Sequence, residues 1–164
     1  MGRFRLWRVW AVCGICALCA LYGNETKENM EVSAKNFHSN LKKGITELEG
    51  EVIVSKGDDR LWADKVIIEM DKNNKPLKYT AIGNVRFLAK LPEREMRGRA
   101  KRAIYDAKKD EYQLIDNAFI EEVGKKNTIK GNVIIFNPKT QEASIQGSNQ
   151  KPGVMTFIIE DSKK

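Results

Sequence analysis

No cysteine follows Cys19 in this 164-residue chain, and its three cysteines, Cys13, Cys16 and Cys19, share one short N-terminal stretch. A domain built from the remainder has no disulfide, no thiolate nucleophile and no cysteine metal site, so its own sheet and core must hold it together. Histidine is nearly as scarce. His38 is the single imidazole, and without a cysteine or a nearby acidic cluster it makes a poor metal ligand and reads as a surface or structural residue. Prolines number only 4 against 41% hydrophobic and 31% charged residues, a balance that excludes a disordered chain and fits one domain. No phosphate-cradling glycine loop and no nucleophile elbow occurs. Asp58-Asp59 and Glu121-Glu122 offer paired carboxylates, but both flank expected turns, where solvation accounts for them. The chain reads as a non-enzyme with neither cofactor nor catalytic metal.

The N-terminus differs from the rest. Arg3, Arg5 and Arg8 precede Val9 to Leu21, a 13-residue apolar stretch without a charge. That is short of the roughly 20 residues that span a bilayer, so residues 1–23 read as an export signal, with a retained membrane anchor as the alternative. Gly23 is the favoured cleavage position. The residues before the three cysteines are Val12, Ile15 and Leu18, which are not small, so a lipoprotein signal is excluded. Removing residues 1–23 takes away three arginines and no acid, and the net charge falls from +7 to +4 over the remaining 141 residues. A charge this mild is not that of a nucleic-acid-packing protein.

Self-comparison shows a repeat. Leu48-Glu49-Gly50-Glu51-Val52-Ile53-Val54 resembles Ala81-Ile82-Gly83-Asn84-Val85-Arg86-Phe87, and both resemble Leu114-Ile115-Asp116-Asn117-Ala118-Phe119-Ile120; positions 50, 83 and 116 are spaced by 33. A second segment recurs between them, at residues 63–68, 100–105 and 131–136. Each unit is two strands joined by a turn. Turn chemistry stands at Lys56-Gly57-Asp58-Asp59, at residues 71–76, at Gly124-Lys125-Lys126-Asn127 and at Asn137-Pro138, with β-branched and aromatic residues between. The pattern predicts an all-β domain over residues 24–164, folded as a sandwich, barrel or jelly roll. Two stretches carry a helical period, Met30, Ala34, Phe37 and Leu41, and Met96, Ala100, Ala103, Ile104 and Ala107. The repeat makes the second a strand, supported by Gly98 interrupting its apolar face. The first is also read as strand, with Val32 and Ala34 on one face.

Alternation assigns Val52 and Val54, Val85 and Phe87, and Ala118 and Ile120 to faces that converge inside. In the second segment Val66 and Ile68 match Ala103 and Tyr105, and these match Ile134 and Phe136. Such faces suit either an ordinary closed core or a greasy groove that holds a lipid, and periodicity does not separate the two. Arg94, Arg97, Arg99, Lys101 and Arg102 form the strongest charge feature. It reads as a solvated loop and strand edge, or as a site for phosphate on nucleic acid, anionic lipid or a glycolipid head group. No aromatic stripe interleaves with the run in sequence, which argues against nucleic acid.

The run Tyr105-Asp106-Ala107-Lys108-Lys109-Asp110 followed by residues 114–120 resembles the aromatic-acid, turn and strand pattern of the OstA-like (LptA-type) family of periplasmic lipopolysaccharide-transport bridge proteins. So do Gly50-Glu51-Val52-Ile53-Val54, Ala63-Asp64-Lys65-Val66 and Ile129-Lys130-Gly131-Asn132. The resemblance covers about Met30 to Gly147. Asp116 departs from it where the other units carry Gly50 and Gly83, and Leu91-Pro92-Glu93 lengthens the middle unit. The resemblance implies a twisted, slightly open β-jelly roll, a periplasmic location, and an interior that holds lipid A acyl chains. It implies stacking with itself end to end, between an inner-membrane-anchored partner and the outer-membrane translocon. The residues near 30–37 and near 154–159 would form the two stacking edges. Carried onto this sequence, acyl contacts fall to Val52, Val54, Val66, Ile68, Val85, Phe87, Tyr105, Ile134 and Phe136. Arg97, Arg99 or Arg102 would meet lipid A phosphates if they lie at the groove mouth. The anchored partner of the same fold (LptC-like) is the nearest alternative; a nucleic-acid-binding or purely structural β-domain is the other class.

Overall fold

The computed structural model describes residues 30–90, 94–137, 140 and 142–158. The expected export segment lies outside these residues, as does Ile159 at the end of the C-terminal edge. The described residues form ten strands and no helix: β1 (Met30–Ser33), β2 (Asn36–Asn40), β3 (Ile45–Lys56), β4 (Asp59–Met70), β5 (Pro76–Lys90), β6 (Glu95–Asp106), β7 (Glu111–Glu122), β8 (Thr128–Asn137), β9 (Glu142–Gln146) and β10 (Val154–Thr156). Both stretches with a helical period are strands, β1 with β2 and β6.

Strands β3 to β8 run as an antiparallel meander in one sheet. Each outer position is shared by two short strands. β2 pairs with residues 45–49 of β3 and β1 with residues 53–56, while β10 pairs with residues 128–130 of β8 and β9 with residues 133–137. The tight turns have local causes. Asp71 Oδ1 accepts from the backbone N–H groups of Asn73 at 2.8 Å and Lys75 at 2.9 Å, and Asp106 Oδ1 accepts from Lys108 at 3.0 Å, short acidic side chains standing in for a backbone turn.

The 33-residue repeat has a structural meaning that alternation alone did not supply. Its reference positions are not ordinary strand residues but the bulges of β3, β5 and β7. Two successive residues there adopt positive φ: Gly50 (82°) and Glu51 (50°), Gly83 (79°) and Asn84 (49°), Asp116 (63°) and Asn117 (55°). The register shifts at this point in every consecutive pair from β3 to β8. The bulges therefore line up as a seam across the sheet, each bending its strand and adding twist. Gly83 is needed there, since a Cβ would meet the Asp64 carboxylate, which also accepts from Asn84 Nδ2 at 2.8 Å. Asp116 keeps the same backbone, because aspartate is among the few side chains that tolerate the left-handed region.

A single sheet with no helix to cover it can bury a face only by curling on itself. This one buries Leu48, Val52, Val54, Leu61, Val66, Val85, Phe87, Met96, Ala118, Ile120 and Ile134 in one cluster drawn from six strands.

Candidate functional site: the inner face of the sheet

The apolar lining follows from strand pairing. Across the strands, Val54 pairs with Leu61, Leu61 with Phe87, Phe87 with Gly98 and Gly98 with Ile120 on one side of the seam. On the other, Ile68 pairs with Tyr79, Tyr79 with Tyr105, Tyr105 with Tyr112 and Tyr112 with Phe136. The bulges reset alternation, so Ala63 and Val66, three apart in sequence, share the face. All nine residues expected to contact acyl chains lie on it. Val52, Val54, Val66, Val85, Phe87, Tyr105 and Ile134 are buried, while Ile68 and Phe136 are half-buried.

Burial is uneven along this face, and Ala89 and Tyr105, well away from the seam, are buried too. At the seam, Val52 and Val85 keep 1% and 0% of their exposure. Away from it Val32, Ile68, Ala103, Leu114, Ile129 and Ile145 pack against the cluster only in part. One arm ends in a tyrosine ladder that sequence reasoning touched only at Tyr105. Tyr105 stacks on Tyr112 at 4.4 Å between centroids and meets Tyr79 at 6.3 Å, and its hydroxyl donates to Asp110 Oδ1 at 3.1 Å. Tyrosine offers an apolar body and a polar tip, which suits the end of an apolar channel where it meets water.

Glu122 is the buried charged residue of the inner face, opposite Met96. Asn127 Nδ2 donates to its Oε2 at 2.8 Å and Lys125 Nζ lies 2.9 Å from Oε1. The Asn127 hydrogen bond, then Lys125, hold the carboxyl below the ordinary 4.5 despite its burial. A carboxyl whose folded pKa is depressed adds stability above the unfolded value and loses it as pH falls through the folded one. Urea unfolding as a function of pH is therefore expected to show an acid limb below about pH 4.5 that Glu122→Gln flattens; an unchanged limb would count against this linkage.

The carboxylate pairs do not form. Adjacent strand residues point to opposite faces, so Glu122 faces inward while Glu121 faces out and pairs with Arg97. Asp59 Oδ1 accepts from the Lys90 backbone N–H at 2.8 Å, and Asp58 lies 3.3 Å from Lys90 Nζ. His38 is exposed on β2 opposite Glu47. Among the described residues no cluster of three His, Cys, Asp or Glu is placed to hold a metal.

The basic run departs from the expectation of a loop and strand edge. Residues 95–106 are β6, in the middle of the sheet, and Arg97, Arg99 and Arg102 are exposed on its outer face, away from the lining. Arg97 and Arg99 lie on one side of the seam and Arg102 on the other. The register also brings aromatics to the run that the sequence separates from it. Trp62 pairs with Arg86, Arg86 with Arg99, Arg99 with Phe119 and Phe119 with Lys130.

Both edges of the sheet are open and expose some large apolar side chains. Phe37 in β2 and Leu41 just after it are exposed, as are Val154 and Met155 in β10 and Phe157 and Ile158 beyond it.

An open, curled, all-antiparallel sheet with an apolar lining is an architecture of the β-jelly-roll type. The family of LptA/(LptD N-terminal domain) LPS transport proteins matches residues 31–142, and the chain belongs to it. None of the curated proteins compared matches the sequence. Among solved structures, the chain is similar to that of LptH, the LptA-homologous periplasmic component of the conserved lipopolysaccharide transport device from Pseudomonas aeruginosa. The TM-score is 0.66 at 21% identity, over 80% of this chain and 96% of that one. The two share the fold.

Proposed function

We propose that the protein is a periplasmic carrier of lipopolysaccharide that shields lipid A acyl chains against its inner face while the sugars stay in water. The observation that carries this reading is the continuous apolar lining of an open sheet, sealed at positions such as Val52 and Val85 and only partly covered at Ile68, Leu114 and Ile129. Each methylene exposed to water costs about 0.8 kcal/mol, so a chain of about a dozen carbons would cost on the order of 10 kcal/mol in transit. Several chains per molecule make a shield necessary. A wall of Val, Ile, Phe and Tyr provides it without directional bonds, so a passenger passes between successive sites of similar affinity. Copies join end to end by strand addition at the exposed edges beside Phe37 and Met155, which have free hydrogen-bonding sides and apolar flanks. The chain of copies bridges an inner-membrane-anchored partner and the outer-membrane translocon, and ATP is hydrolysed elsewhere. Lipid A phosphates reach Arg97, Arg99 or Arg102 only around a sheet edge, since these side chains stand on the outer face.

The test is site-specific photocrosslinking in intact cells, with a photoreactive residue at Phe87 and at Tyr105 and the exposed turn residue Lys72 as control. Lipopolysaccharide adducts at the two inner positions but not at Lys72 are expected. Their absence from a folded, exported protein would overturn the carrier reading and leave a closed structural scaffold. The anchored partner of similar fold is separated by mass, because cleavage of residues 1–23 removes about 2.5 kDa at roughly 110 Da per residue.

A further inference from the structure

The outer face of the sheet is not uniform. Several of its cations are matched, Arg97 by Glu121 on the arm that carries Arg99 and, on the other arm, Lys65, whose Nζ lies 2.8 Å from Glu47 and 2.7 Å from Glu49, and Lys78, 2.7 Å from Glu69. Across the seam, Arg86, Arg99 and Lys130 pair with no carboxylate among the described residues and lie against rings instead. The Arg86 guanidinium is 5.7 Å from the centre of Trp62, Arg99 is 4.8 Å from Phe119, and Lys130 is 5.6 Å from the same ring. Arg86 and Arg99 are direct cross-strand partners. Like charges in that position destabilise a sheet, so the pair opposes folding unless an anion lies between them. Two depressions meet at Arg99 and Phe119. One, of about 610 Å³, is lined by Trp62, Arg86, Arg97 and Glu121; the other, of about 540 Å³, by Lys130, Asn132 and Lys151. Both are the size of a small-ligand site.

We infer that this face binds a phosphorylated saccharide. Two guanidiniums on adjacent strands can share one phosphate through paired, charge-assisted bonds, and the flat apolar faces of Trp62 and Phe119 suit a sugar ring beside it. An anion alone uses the arginines and ignores the rings. A membrane surface calls for projecting side chains, whereas these line depressions. The inference is independent of the acyl-chain reading, because the site lies on the opposite face of the sheet and its ligand needs no acyl chain.

Trp62 reports on the site directly, since replacing Trp7 and Trp10 by Phe leaves it the only tryptophan in the full chain. Glucose 6-phosphate is the probe, with glucose, inorganic phosphate and phosphatidylglycerol vesicles as comparisons. The expected result is a saturable change in Trp62 emission with glucose 6-phosphate. Its affinity should drop about tenfold in Arg99→Gln, the loss of one charge-assisted contact, and stay unchanged in Arg102→Gln across the seam. Arg99→Gln should melt no lower than its parent, because it removes a repulsion. No saturable response, an equal response to inorganic phosphate, glucose or vesicles, or undiminished affinity in a folded Arg99→Gln protein would overturn the inference. Crosslinking at Tyr105, which lies across the seam and lines neither depression, is unaffected by Arg99→Gln, which keeps the two sites' tests separate.

Discussion

Val85→Asp is expected to cost this domain on the order of 3–5 kcal/mol, the penalty of a buried charge without a partner, whereas Leu114→Asp costs about 1–2 kcal/mol of lost apolar burial. Val85 retains none of its exposure, and its cross-strand partner is Ala100. A carboxylate there has no cation to pair with and no water to turn to. Leu114 lies on the same face beyond the seam, between Ala103 and Ile134, and is only half-buried. Its replacement keeps a route to solvent. A domain of this size commonly has about 5–15 kcal/mol in total, so Val85→Asp brings it near unfolding and Leu114→Asp does not. Urea midpoints at constant slope measure both. The consequence for function is the reverse of that for stability: Leu114→Asp, still folded, should lose lipopolysaccharide crosslinking at the neighbouring Tyr105. Equal losses at the two positions would mean a closed core, and the shielding surface would have to be sought elsewhere.

How much of this was legible in the sequence depends on whether the signal was local. Alternation and the repeat identified all nine residues named as acyl contacts as inner-face residues, because side-chain direction along a strand is fixed by the backbone, but they did not single out Leu61, Ile129, Ile145, Tyr79 or Tyr112. The repeat also settled the ambiguous period at Met96 to Ala107, where small residues fit a helix as well as a strand. The bulges were present only as conserved spacing within the chain. A Gly-Glu, Gly-Asn or Asp-Asn pair inside a strand looks like a weak strand, and only the shift of register across Glu49 and Val52, or Ile82 and Val85, shows it as a bend. The outer site was out of reach for a related reason. Trp62 and Phe119 are separated from Arg99 by 37 and 20 residues, and they meet through pairings whose register the bulges determine. Scanning along the chain for an aromatic stripe beside the basic run therefore missed one that runs across the strands.

Gly98→Val is expected to destabilise the domain by about 2–3 kcal/mol through overpacking, although Gly98 has an ordinary strand conformation and no turn requires it. Its role is spatial. A Cβ built there stands 2.5 Å from two atoms of the Phe87 ring and 2.7 Å from the Phe119 carbonyl oxygen. Gly98 is the cross-strand partner of Phe87, so the bare backbone is the floor on which that ring lies, an arrangement in which the aromatic covers the gap left by the missing side chain. Phe87→Ala alone should cost about 3–5 kcal/mol from the cavity it leaves. In the double variant, Val fills part of that cavity, so the two losses should combine to clearly less than their sum, a coupling that a double-mutant cycle measures directly. The Phe119 carbonyl is backbone and cannot swing aside as a ring can, so recovery should remain incomplete. Additive losses would show that the ring does not depend on Gly98. A strong coupling would tie the lining of the inner face to a glycine on the strand that carries the basic run, and hence link the packing of the groove to the placement of Arg97 and Arg99 on either side of it.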